Sequence, residues 1–598
     1  MLFSLLLPAK VGIFMKIERI ISGKRHILLC ITLFMYFCSM KIILATINAK
    51  YIHTSLAMRL LYVANKERFD ISFREYILKE DVEKMADELL LTGCDIVGLG
   101  VYIWNVRQMD RLVRLLKEKR PDIIIILGGP EVTYEPAFFL DTRPVDYIVS
   151  GEGEFVLGEL LDAIRAHRVV AIEGVSSRDI ISNTVVRVDL EKVTALQSPY
   201  QLPEDREDMR NKVIYIETSR GCPFQCAYCQ ASLEKGIRLF PEKYVFENLD
   251  YLINSGARQI KFLDRTFNPD IRRTQAIFDF LISRYRHGLS CQFEVYADLL
   301  HDNMIETLNK RLPTHYFRFE AGIQTTCEAT NRAIGRKQNF SLMAANIRKI
   351  IEGGKIDLHL DLIAGLPYES FERFVQSFND VFELQAKEVQ LGFLKMLRGT
   401  KLRENAAFYN YIYDDAAPYE VRSHADMSEN ELERIRRAEN ILEKYWNSGR
   451  FVRTMHALFD LYYKGNYFDF FDEMATQIHT NRLSFKDCQL EDVFRYLHDF
   501  LISKGIDLFV TLRTDYYHCF PTRPHGFWDP VLDKKSKKRI MYEIGNDKVF
   551  LSCHKLTRKI IENRTVIDSV SANEYLLTVF PEDKKDSIYS ITYRFPAT

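Results

Sequence analysis

Cys222, Cys226 and Cys229 fall within eight positions of one another in the stretch RGCPFQCAYCQAS, residues 220–232. The chain has only eleven cysteines in 598 residues, so three in one short loop carry information. Thiolates grouped in this way bind a soft metal or an iron–sulfur cluster. A structural zinc ion takes four closed ligands, and no fourth cysteine is near in sequence, although Cys291 or Cys327 could fold in. An iron–sulfur cube held by three cysteines leaves one iron open to a substrate or cofactor. The C-x-x-x-C-x-x-C spacing directly follows an apolar strand, with the aromatic Tyr228 just before the last cysteine.

A loop of this kind has to be presented by the ends of strands. VIYIETSRG (213–221) begins a series continued by QIKFLDRTF (259–267), CQFEVYAD (291–298), YFRFEAGIQ (316–324), IDLHLDLIAGLP (356–367) and EVQLGFLKML (388–397), with helical stretches between them. Six such units without a closing pair predict a partial (β/α)6 barrel over 213–410, with its active residues at strand ends. Upstream, residues 40–167 alternate apolar runs with amphipathic stretches, the pattern of a doubly wound parallel sheet covered on both faces. Ligands of such sheets sit beyond the carboxyl ends of the strands. Those ends carry Asn48, Gly100 to Tyr102, Gly128-Gly129 and Gly151 to Glu154. Residues 168–212 read as a linker, and 411–598 as a separate helix-rich C-terminal domain. The predicted fold class is therefore α/β, with a Rossmann-like N-terminal sheet, a central partial barrel and a helical C-terminal domain.

Composition bounds the rest. The apolar fraction is 47%, the charged fraction 27% and the formal net charge zero, which gives no bulk attraction to nucleic acid or to an anionic membrane. The other cysteines are scattered without a framework, the usage of a reducing compartment. The single concentrated basic run, DKKSKKR (533–539), reads as a solvated loop. HCFPTRPH (518–525) holds two histidines and a cysteine and reads as surface packing. Ahead of Met40, GKRHILLCITLFMYFCSM joins a basic flank to about a dozen apolar residues, fewer than the ~20 of a spanning helix. The strand-like KIILATI after Met40 marks that methionine as the expected start. The alternatives are a membrane anchor and an ordered extension.

The cysteine stretch resembles the signature of the radical S-adenosylmethionine (SAM) enzymes. In that family SAM chelates the open iron of a [4Fe–4S] cluster, and its reductive cleavage gives a 5′-deoxyadenosyl radical. The resemblance implies Cys222, Cys226 and Cys229 as cluster ligands and Tyr228 against the adenine. FEAGIQT (319–325) and DLIAGLPYE (361–369) resemble later strand motifs that line the SAM pocket, which brings in Gln324, Ile363 and Gly365. Glu294 and Glu320, on adjacent strands, could meet the ribose or amino group of SAM, or belong to a satisfied polar network. FLDRTFN (262–268) narrows the resemblance to radical SAM proteins with an N-terminal cobalamin-binding domain. Asp264 and Arg265 there could position substrate or SAM, or form an ion pair at the barrel mouth.

By the same resemblance, Asn48, Gly100, Tyr102, Gly128, Gly129, Gly151 and Gly153 face cobalamin, the glycines letting backbone approach the corrin tail. The D-x-H-x-x-G motif that supplies a lower cobalt ligand is missing, and His53 reads as a polar contact. Either cobalamin binds without a histidine beneath the metal, near Gly100 to Trp104, or the domain has lost it. The expected activity is methylation of an unactivated carbon of a small molecule or peptide, fed by an electron donor such as flavodoxin or ferredoxin. A radical rearrangement or oxidoreductase reaction, with or without cobalamin, is the alternative. A tRNA methylthiotransferase would need three further cysteines upstream, where residues 40–167 have only Cys94. A cytoplasmic enzyme is expected, without nucleic acid, and without a membrane unless the leader is real.

Overall fold

The computed structural model describes residues 40–486, 488–520, 522, 532–571, 573–581 and 588–594. The expectations for residues 1–39, and for Pro521 and Arg523 to His525 in the HCFPTRPH run, lie outside them. Two compact units divide the chain: one takes the described residues up to Ser219 with Arg238–Lys261, the other Arg220–Ile237 and Phe262 onward.

The first sheet contains β1 (Lys41–Asn48), β2 (Asp70–Ile77), β3 (Ile96–Gly100), β4 (Ile124–Gly128), β5 (Tyr147–Val149) and β6 (Val175–Ser176), ordered β2-β1-β3-β4-β5-β6. β1 to β5 pair in parallel. A continuous apolar strand such as KIILATIN needs cover on both faces, and all of β1 after Lys41 is buried. The helices supply that cover. Leu56–Asn65 starts where Ser55 accepts from the Met58 amide, and Val82–Leu91 where Asp81 accepts from Glu83. Segment 168–212 is not a free tether. β6 adds antiparallel to β5, Val186 bridges Gly151, and Asp205 pairs with the buried Arg59 at 2.5 Å.

β7 (Val213–Ile216), β8 (Ser219–Cys222), β9 (Gly236–Leu239), β10 (Gln259–Phe262), β11 (Ser290–Val295), β12 (Phe317–Gln324), β13 (Asp357–Ala364) and β14 (Glu388–Phe393) follow. The second sheet is ordered β14-β13-β12-β11-β10-β7, and β11 to β14 pair in parallel. β12 alternates strictly: Phe317, Phe319, Ala321 and Ile323 are buried, while Arg318, Glu320, Gly322 and Gln324 face a half-open side. On the buried side the rings of Phe262, Phe267, Phe278, Phe317 and Phe319 lie 4.5–5.9 Å from that of Phe293. Truncating one such ring to alanine costs about 3–5 kcal/mol. A one-residue slip would put phenylalanines on the polar face, so this pattern fixes the register of the strand that carries Glu320 and Gln324.

The C-terminal region is helix-rich but not all helix. β15 (Ile412–Tyr413) pairs with β16 (Val421–Ser423), and β17 (Thr565–Ser571), β18 (Glu574–Val579) and β19 (Tyr589–Arg594) form an antiparallel sheet the sequence reading missed. The basic run at 533–539 is not a loop either. It opens the helix Lys534–Asn546, with Asp533 accepting from the Lys535 and Ser536 amides. Among the described residues no helix is long and apolar enough to cross a membrane.

Candidate active site

The cysteine loop starts one strand later than expected: after β7 the chain makes the short β8, and Cys222 is its last residue. Gly221 has φ +84°, and a Cβ there would overlap the Gly236 carbonyl, so only glycine allows this closure. Three contacts then hold the loop. The Cys229 amide donates to the Cys226 carbonyl (3.1 Å), the Ala227 amide to Ile334 (2.8 Å), and the Leu402 amide to Ala227 (3.0 Å).

The three thiols lie close enough to sense one another. Burial raises the Cys229 pKa, and Cys226 and Cys222 push it the same way. Among the described residues no three His, Cys, Asp or Glu converge on a single ion. Neither possible fourth ligand joins. Cys291 is fully buried at the start of β11, its thiol pushed up to about 12 by burial. Cys327 caps a helix, with its sulfur 3.9 Å from the Tyr368 carbonyl.

Arg336 carries no signal in the sequence pattern. It is 8% exposed and lies between the loop and the end of β12. Nη1 is 3.9 Å from Cys226 Sγ and donates to the Tyr228 hydroxyl at 3.4 Å; Nη2 donates to the Gly322 carbonyl, and Nε to Gln338 at 2.7 Å. Its guanidinium covers the Tyr296 ring at 4.6 Å, and that ring stacks on Phe224 of the loop at 4.1 Å. Burial works against its charge, but Tyr228, Tyr296 and Cys226 hold its pKa above the ordinary value. A buried cation beside the Cys226 sulfur offsets the negative charge that a thiolate brings. Burial also keeps the Tyr228 hydroxyl protonated.

Glu294, Glu320 and Gln324 are half-buried on their strands. Glu294 and Glu320 sit opposite each other in register, and Glu320 accepts from Gln292. Gln324 has φ +70°, outside the usual range for its type, and its buried Oε1 has no hydrogen-bond partner. An unfilled acceptor at a strained strand end fits a ligand donor. Ile363 is half-buried. Gly365 takes φ +90° at the end of β13, where its carbonyl accepts from Tyr411 at 2.9 Å. Asp264 is buried and Arg265 exposed, and Arg265 acts electrostatically on Cys229. These groups fit a three-cysteine cluster with a bound sulfonium cofactor.

In the first unit the carboxyl edge is organised by Asn105. Its amide donates to the Ile47 and Gly100 carbonyls at 3.1 Å and accepts from the Tyr102 amide at 2.8 Å. Trp104 donates to the Ile47 carbonyl and stacks on Tyr102 at 4.4 Å, yet remains 46% exposed. This flat aromatic plate fits a planar macrocycle. The glycines along this edge also lie close to their own domain. A Cβ on Gly129 (φ +106°) would come 2.5 Å from the Val101 carbonyl, and one on Gly151 would meet the Val186 backbone. Gly100 faces Met58 and Gly153 faces Leu61, so four of the five are occupied by their own domain. Only at Gly128 is the nearest atom as far as 3.8 Å. Asn48 is held by the His53 carbonyl and Glu75, and His53 Nδ1 by the Tyr215 hydroxyl at 2.7 Å. His53 is thus a polar contact, its pKa lowered by burial and by Lys50 and Lys261.

Residues 41–161 match the B12 binding domain family, and 216–381 match the Radical SAM superfamily. Residues 407–587 match a family described as a protein of unknown function, DUF4080. The 2-(S-pantetheinyl)-carbapenam-3-carboxylate methyltransferase of Streptantibioticus cattleyicolor is 28% identical over 51% of this chain and 47% of its own length. The cobalamin-dependent radical SAM methyltransferase TokK of Streptomyces tokunonensis is 26% identical over 50% of this chain and 46% of its own. The chain thus spans about half the length of these curated relatives. The solved structure of OxsB, a cobalamin-dependent S-adenosylmethionine radical enzyme with aqua-cobalamin bound, covers 86% of each chain with a TM-score of 0.57 at 14% identity, a likeness of fold.

Proposed function

Because a B12-binding domain precedes a radical SAM domain in this chain, we propose that it is a cobalamin-dependent radical SAM methyltransferase acting on an unactivated carbon of a small molecule or peptide. When bound, the cluster supplies the electron that cleaves SAM, and cobalamin carries the methyl group. Residues 40–167 hold cobalamin, 213–410 hold the cluster and SAM, and 411–598 form a further domain. The observation that carries the reading is the cysteine loop with Arg336 buried against it.

Each group in the chain has a task. Cys222, Cys226 and Cys229 ligate three irons. Arg336 neutralises their charge and fixes the Tyr228 side chain, which lies against the adenine. Glu294, Glu320 and the unfilled Gln324 Oε1 take hydrogen-bond donors of SAM, with Ile363 and Gly365 shaping the wall. Asp264 and Arg265 position substrate at the barrel mouth. The Trp104–Tyr102 plate would receive cobalamin, together with the backbone at Gly128, with no histidine beneath the cobalt. Only Cys94 lies in 40–167, buried with its sulfur on the Leu89 carbonyl, which disfavours the second cluster of a methylthiotransferase. A reducing cytoplasm with a flavodoxin- or ferredoxin-like donor suits the chemistry.

The test is anaerobic turnover of the reconstituted full chain with methyl-labelled SAM, a strong reductant and candidate substrates. The proposal predicts 5′-deoxyadenosine together with a labelled methyl on carbon. 5′-Deoxyadenosine with a rearranged, unmethylated product would move the reading to radical rearrangement.

A further inference from the structure

The barrel face that carries Glu294 and Glu320 also holds a histidine that none of these roles uses. His359, on β13, is 9% exposed and lies in register with Glu320 of β12 and Glu388 of β14. Charged groups face it from each neighbouring strand: Arg318 and Glu320 from β12, Asp361 from its own strand and Glu388 from β14. Arg318 grips Glu388 with two bonds, of 2.9 and 2.5 Å, and its Nη2 also stands 2.8 Å from His359 Nδ1. A guanidinium has donors and no acceptor, so this contact requires a lone pair on Nδ1 and leaves the proton on Nε2. Nε2 stands 3.0 Å from Asp361 Oδ1, at ion-pair distance but without the alignment of a formed hydrogen bond. Glu388 Oε2 and Glu320 Oε1 lie 3.6 and 4.0 Å from Nδ1.

We infer that His359 is a positioning residue for Glu320 and Asp361, with two hydrogen-bonding states set by its protonation. In the neutral state Nδ1 accepts from Arg318 and Nε2–H points to Asp361, which leaves Glu320 to Gln292 and to a ligand. Uptake of a proton makes both nitrogens donors. Nδ1–H then conflicts with Arg318 and turns to Glu320 or Glu388, both already within 4.0 Å. Glu320 and Asp361 are drawn toward the imidazolium, and a ligand that needs their lone pairs binds less well. Burial opposes that proton, but Asp361 more than compensates and holds the pKa above the ordinary histidine value. The exchange therefore falls above the pH at which an ordinary histidine takes up its proton. The inference rests on the reading of Glu320 as a SAM contact.

Glutamine at 359 can accept from Arg318 and donate to Asp361 without titrating; leucine can do neither. Cluster-loaded full chain, wild type, His359→Gln and His359→Leu, is dialysed against radiolabelled SAM at about pH 8.5 and about pH 6. Iron content and melting temperature report folding separately. His359→Gln should match wild type at the higher pH and bind about threefold to tenfold tighter than wild type at the lower. His359→Leu should bind about tenfold more weakly at the higher pH. A His359→Gln affinity that tracks wild type at both pH values overturns the inference while leaving SAM binding intact. A cluster-loaded wild type that takes up no SAM overturns both it and the functional reading beneath it.

Discussion

The barrel face and the carboxyl edge of the first sheet are both made where parallel strands end, yet different groups organise them. At the edge, Asn105 makes three hydrogen bonds to backbone, His53 is taken by Tyr215, and Gly129 and Gly151 press on their own domain. In the barrel, Arg336 is a buried cation against a thiol, and Gln324 keeps an unfilled acceptor on left-handed backbone. An unsatisfied buried group costs free energy, so it points to a ligand that completes it. Under the proposed function, the barrel site would recognise by charge and lone pairs, and the first-sheet site by shape through the Trp104–Tyr102 plate.

The largest expected effect separates the two regions outright. Cys226→Ala should abolish bound iron and 5′-deoxyadenosine formation, measured by iron assay and product analysis, while cobalamin retention on the first unit persists. Loss of both cofactors together would break the comparison.

The same contrast explains what could be read from sequence. Cys222, Cys226 and Cys229 were legible because soft-metal chemistry requires a rare residue type at fixed spacing. The parallel strands themselves were legible because apolar runs such as KIILATIN tolerate few other structures. Arg336 was not, since an arginine 107 positions beyond Cys229 gives no sign that folding will bury it there. The glycines are a related case: a positive φ or a close approach marks a neighbour, and sequence does not say whether that neighbour is ligand or chain. The β17–β19 sheet was hidden by its aromatic, helix-rich surroundings.

The next effect concerns the support behind the barrel site. His424 is buried beside Tyr411, whose hydroxyl donates to the Gly365 carbonyl. Burial pulls its pKa down to about 4. The unfolded chain takes up a proton near pH 6.5 and the folded chain only near pH 4, so between them the unfolded state binds more protons. Stability should be full above about pH 6.5 and fall by about 3 kcal/mol as pH drops to about 4. Urea midpoints across that window should lose this component in His424→Gln.

Arg336→Met should weaken cluster retention or SAM cleavage by about 10- to 100-fold, the scale for groups that support metal ligands. Arg336→Lys should recover part of it, because an ammonium keeps the charge but lacks the planar fork that serves Tyr228, Gly322 and Gln338. Iron content against time in a chelator measures both. Smallest, Trp104→Ala should loosen hydroxocobalamin by about tenfold through loss of stacked area, with iron unchanged. A Trp104→Ala protein that holds corrin as well as wild type would remove the plate from the account.

The central claim is that one chain carries both cofactors, and cofactor stoichiometry tests it most directly. The full chain would be reconstituted anaerobically with iron, sulfide and hydroxocobalamin, freed of unbound cofactor by gel filtration, and measured by optical spectrum and iron assay. About four irons and about one corrin per chain, co-eluting, is the predicted result. Iron in that amount without corrin would contradict it, and would leave a radical SAM barrel beside a first domain that no longer binds its cofactor.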